Sequence, residues 1–146
     1  MAYQNYKDLQ IYQLAHKLAV EIHEMSLKLP KYELYEEGSQ IRRSSKAISS
    51  NIVEGFGRRR YKNEFIKFLI YALSSCDETR EHLDLLFETK SFHDERWYER
   101  CSQQYDELGK KLNNFIKAVV RHHLSPKSLL DMTDPMSIKH PGSSFD

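Results

Sequence analysis

Seven basic side chains fall within the stretch QIRRSSKAISSNIVEGFGRRRYK, residues 40–62: Arg42, Arg43, Lys46, Arg58, Arg59, Arg60 and Lys62. One acid, Glu54, opposes them, so the window carries +6 in a chain whose total is +1, and the rest sums to −5. Cationic side chains at this density are suited to phosphates, because each neutralised phosphate releases condensed counterions. Small residues at Ser44, Ala47, Ser49 and Ser50 let a partner approach closely. A turn at Gly55-Phe56-Gly57 would bring backbone N–H groups and Arg58, Arg59 and Arg60 to one strand, with Phe56 and Tyr61 placed to stack on unpaired bases. The competing reading is electrostatic pairing at home. Residues 63–107 hold eleven acids against five bases, a net of −6, and on this reading the basic window faces that half within one chain or between subunits.

These residues need helices to position them. Ile11, Leu14, Ala15, Leu18, Ile22, Met25 and Leu29 follow the helical period, with Asp8 as the expected cap and Pro30 as the stop. In a second predicted helix, Ser39 is the expected N-cap, Ile41, Ser45, Ile48 and Ile52 form a narrow stripe, and Gly55 and Gly57 end it as left-handed C-caps. On a wheel, Arg42, Lys46, Ser49 and Val53 flank that stripe on one side. Gln40, Ser44, Ala47 and Asn51 flank it on the other, while Arg43, Ser50 and Glu54 point away.

A third helix begins near Tyr61 and runs to about Thr89 through Phe65, Phe68, Leu69, Ala72, Leu73, Cys76, Thr79, Leu83, Leu86 and Phe87. A fourth starts at His93 or Asp94 and ends near His123, with Trp97, Cys101, Tyr105, Leu108, Leu112, Phe115, Ile116 and Val119 on its face. The expected fold is all-α, an up-down-up-down four-helix bundle over residues 1–124. Residues 125–146, with three prolines, read as a C-terminal tail outside the bundle, in which Leu129, Leu130 and Met132 are placed to clip onto the domain or onto a partner.

Other chemistry finds less footing. EGFGRRR lacks the Lys-Ser/Thr ending of a phosphate loop and follows no strand. His122-His123 have no further ligands at metal spacing, and the Glu-x-x-His pairs of a di-iron bundle are missing. Cys76 and Cys101 read as core thiols. Glu54 is four residues before Arg58 and braces the helix end, and Asn51 is expected to hydrogen-bond between helices or subunits. No catalytic residue, metal or cofactor is expected. No apolar run reaches the roughly 20 residues of a membrane span, and no secretory signal precedes Asp8, so the expected location is the cytoplasm.

Gln40-Ile41-Arg42-Arg43, Asn51-Ile52 with Glu54-Gly55, Arg58, Phe65, Phe68-Leu69, Ala72, Ser75 and Glu78 make a two-helix motif. With Tyr12-Gln13, Ala15 and Leu29-Pro30 upstream, it resembles the four-helix-bundle family of 23S rRNA intervening-sequence proteins, which includes the accessory variability determinant of diversity-generating retroelements. The resemblance covers about residues 8–120. The family often has Trp at Tyr12, Pro at Ser49 and Gly at Ser74. The resemblance implies a homopentameric ring with a basic surface, no enzymatic activity, and a nucleic acid (RNA above all) or a protein such as a reverse transcriptase as partner. The expected contacts are Arg42, Arg43, Lys46, Arg58, Arg59, Arg60, Tyr61 and Lys62, with Gln40, Asn51, Glu54 and Gly55 as structural motif.

Overall fold

A computed structural model describes residues 5–122. A 3-10 turn, Tyr6–Asp8, leads into α1 (Gln10–Ser26), the one-turn α2 (Lys31–Leu34), α3 (Glu37–Gly57), α4 (Lys62–Glu88) and α5 (Glu95–His122). No strand forms among the described residues. The four long helices surround one core: α3 packs on α1 and α4, and α5 packs on α4 and α1. No helix of the described residues is long and apolar enough to cross a membrane. The segment expected to be a tail, residues 125–146, lies outside the described residues.

The apolar stripes bury as their spacing requires. Ile41, Ser45, Ile48 and Ile52 are fully enclosed, as are Leu18 and Ile22 of α1, Phe65, Leu69 and Cys76 of α4, and Cys101, Tyr105 and Leu112 of α5. Phe65 meets Phe115 edge-on at 6.0 Å, joining α4 to α5. The flank holding Ser44 is not open to a partner: Ser44 is buried, and its hydroxyl lies 2.8 Å from that of Thr79 on α4. Ser74, by contrast, is exposed, so its side chain meets no tight helix contact.

The helix ends differ from expectation. Asp8 does not cap α1, which starts after Leu9 without a side-chain cap; Asn5 caps the preceding 3-10 turn through Lys7 N–H. Ser39 lies inside α3, which starts two residues earlier at Glu37; ahead of it, Lys31–Leu34 forms the one-turn α2. Glu33 of α2 is buried and accepts a 2.6 Å bond from Ser91 Oγ. Gly55 and Gly57 are not left-handed; no glycine described has positive φ. Gly55 is a packing glycine: a Cβ there would sit 3.1 Å from Phe68 Cβ. Among the described residues the one left-handed cap is Lys90, φ 65°, after α4. Ser91 N–H bonds Leu86 O and Lys90 N–H bonds Phe87 O, a Schellman ending without glycine.

Candidate nucleic-acid interface

Within α3 and the turn after it, the seven basic residues do not form one patch. Lys46 and Arg58 are separated by about 18 Å of helix axis, at about 1.5 Å per residue. One group, Arg42, Arg43 and Lys46, belongs to the first half of α3; the other, Arg58, Arg59, Arg60 and Lys62, belongs to the α3–α4 connection.

Each guanidinium has its own environment. Arg42 is turned into the fold: it donates to Ser26 Oγ at 2.9 Å and to Leu34 O at 2.8 Å, clamping α1, α2 and α3 together. Arg43 donates to Gln40 Oε1 at 3.2 Å on the exposed back of the helix. Arg58 is held by Glu54 at 2.7 Å and Glu64 at 3.0 Å and lies 5.0 Å from the Phe68 ring. The hydrogen bond to Glu54 holds its pKa above the ordinary guanidinium value. Arg59 lies 3.9 Å over the Phe56 ring and donates to Phe56 O; partial burial draws its pKa below the ordinary value. Among the described residues, no carboxylate comes within ion-pairing distance of Lys46, Arg60 or Lys62.

Two expected contacts change role. Phe56 is core, only 4% exposed, and serves as the platform for Arg59 rather than for a base. The backbone amides expected to reach a strand are engaged: Arg58, Arg59 and Tyr61 N–H bond Gly55 O, Phe56 O and Arg58 O. Helix α3 continues through both glycines, so contact with a polyanion here falls to side chains. Tyr61, 64% exposed, keeps an open ring beside Arg60 and Lys62. Asn51 donates to Ala47 O of its own helix at 2.9 Å, not across helices. Gln40 and Glu54 act locally on Arg43 and Arg58.

Part of the acidic half pairs within itself and with its neighbours. Arg80 meets Asp106 across α4 and α5, and Lys67 meets Glu64. His82 lies between Glu37 at 2.6 Å and Glu78 at 3.4 Å, linking α4 to the start of α3; the sequence reading missed this pair because its members are far apart in the chain. Both thiols are pushed up to about 12 by burial, Cys76 and Cys101 alike. Among the described residues no group of three or more His, Cys, Asp or Glu is arranged to hold a metal.

Residues 7–114 match the family described as 23S rRNA-intervening sequence protein. The chain belongs to this family. A crystal structure of a protein of unknown function, from the S23 ribosomal protein family of Bacteroides thetaiotaomicron VPI-5482, is similar at a TM-score of 0.67. It is 28% identical, with 76% of this chain and 98% of that chain covered. No curated protein is similar enough to match. For an intervening-sequence family member, the split of the basic window is the informative feature. Arg42, Arg58 and Arg59 are tied into the fold, and Lys46, Arg60 and Lys62 present charge outward.

Proposed function

We propose that this intervening-sequence family member is a non-enzymatic RNA-binding accessory protein of the cytoplasm. Its RNA surface is Arg43 and Lys46 on α3, with Arg60, Tyr61 and Lys62 beyond it. The observation that carries this reading is that Lys46, Arg60 and Lys62 have no carboxylate partner among the described residues, although the same chain holds eleven acids in residues 63–107. Cations that could have been neutralised internally are left for an external polyanion. The family's description, with its reference to 23S rRNA, favours RNA over other polyanions.

The test reverses Lys46, Arg60 and Lys62 to Glu together and measures retention of single-stranded RNA against salt. Loss of binding with unchanged helicity is the expected result. Wild-type binding should weaken steeply with salt, with a log–log slope of about −0.7 per phosphate contacted. Unaltered binding by the triple variant removes these residues from the account.

The same reading takes the four long helices as an up-down-up-down bundle that assembles into a homopentameric ring. Exposed Ile70 and Tyr71 on α4 and Val120 on α5 are apolar surface for a neighbouring copy. Light scattering that finds only monomer at micromolar concentration counts against it. A second reading is a scaffold for a protein such as a reverse transcriptase, favoured by Tyr32 and Tyr35, the latter 75% exposed, around α2. A pull-down that survives nuclease treatment would select that reading.

A further inference from the structure

Helices α1 and α3 pack together yet leave a groove of about 430 Å³ between them. That volume lies in the range of about 300–1,000 Å³ typical of small-ligand sites. Ala19 and Val20 supply an apolar floor. From α3, Lys46 and Ser49 line the opposite side. His16 and His23, seven residues apart and so on one face of α1, line it together with Glu24.

Two further observations point to a flat, polar-edged occupant. The His16 ring extends a row of aromatics: Tyr6 meets Tyr12 edge-on at 4.9 Å, and Tyr12 stacks on His16 at 5.5 Å and 29°. His16 is exposed at the end of that row, with Nδ1 3.3 Å from the Tyr12 hydroxyl, so its ring is already oriented. His23 also lines the groove, and its buried Nδ1 has no hydrogen-bond partner among the described residues, so a polar group of an occupant could meet it.

The geometry points to this groove as the seat of one unpaired base of a single-stranded RNA. The base continues the Tyr6–Tyr12–His16 row over the apolar floor, as single-stranded RNA stacks on aromatic side chains including His. Lys46 takes the adjoining phosphate, and Glu24 accepts from an exocyclic amine. A simple anion would be repelled by Glu24, and an apolar ligand would make no use of the exposed Lys46 and Glu24 at the rim. A nucleotide offers both a phosphate and an amine-bearing ring. The inference rests on the RNA-binding reading and adds to it a defined base site.

The experiment titrates the full chain with a short single-stranded RNA carrying 2-aminopurine at one position, and with the same strand made abasic there. For the wild type, 2-aminopurine emission falls on binding, and the abasic strand binds about tenfold more weakly, the size expected for loss of one stacked base. Val20→Trp fills the groove from a half-exposed position. It is expected to abolish the emission change and to bind both strands equally. Wild-type binding of RNA with no emission change and equal affinity for the abasic strand overturns the groove and leaves the basic surface standing. No binding of either strand by the wild type overturns both. The comparison of strands on the wild type alone is decisive if the variant fails to fold.

Discussion

Lys90 occupies the left-handed position that ends α4, with φ 65°. A side chain costs about 1 kcal/mol or more there, and glycine does not carry that cost. Lys90→Gly is therefore expected to raise stability by about 1 kcal/mol in chemical denaturation. The two glycines at either end of α3 give opposite expectations. A Cβ on Gly38 would lie 2.7 Å from the backbone oxygen of Glu33, which α2 holds in place, so Gly38→Ala should cost about 1–3 kcal/mol. At Gly57 a Cβ meets nothing within 4 Å and φ is not positive, so Gly57→Ala should stabilise by about 0.4–1 kcal/mol. Destabilisation at Gly57 would restore the left-handed cap that its sequence context suggests.

At the scale of elements, Arg42 shows why a basic residue cannot be assigned to a ligand from its type alone. Its guanidinium closes the gap left where α1 ends and α2 begins, with Ser26 relaying a further bond to His23 O at 2.8 Å. Arg42→Met should lower stability by about 2 kcal/mol, since hydrogen bonds from a charged donor are lost and a buried Ser26 hydroxyl and Leu34 carbonyl lose their partner. Lys46→Met, one turn along, should stay within about 0.5 kcal/mol while weakening RNA binding. Denaturation and binding measured on the same two variants separate the clamp from the contact. The narrowness of the α3 stripe has a related cause. Ser44 is covered by α4 through Thr79, so part of the polar flank is interior, and its hydroxyl pair does work that an apolar residue would do elsewhere.

For the molecule as a whole, the buried thiols, Tyr98 and the fully enclosed Tyr105, whose phenol is pushed up by burial, set the alkaline limit. Cys76 and Cys101 are pushed up to about 12 by burial, and Tyr98 to about 12 chiefly by its 2.7 Å hydrogen bond to Asp84. Each acid holds its proton longer folded than unfolded. Its contribution is complete below the ordinary value, 9.0 for the thiols and 10.0 for the phenol, and is lost as pH rises toward about 12. Stability should be level up to about pH 9 on this account and fall steeply above it, with a shallower fall in a Cys76→Ala/Cys101→Ala variant. Native protein should also resist thiol alkylation at pH 8 until denaturant is added, which a quantitative mass measurement reads directly.

Helical periodicity determined most of the core. Ile41, Ile48, Ile52, Phe65, Leu69, Cys101 and Tyr105 are buried where one-face spacing puts them, because an amphipathic helix has only one way to remove its stripe from water. Only the tertiary structure decided how the basic window is divided. Partners such as Ser26 for Arg42, or Glu64 for Arg58, are set by chain packing rather than by local spacing. The same packing turned Phe56 inward and left Tyr61 outward, and it brought His16 of α1 and Lys46 of α3 to one groove. Charge count is a property of composition; whether a charge is available depends on which neighbours folding places within a few ångströms of it.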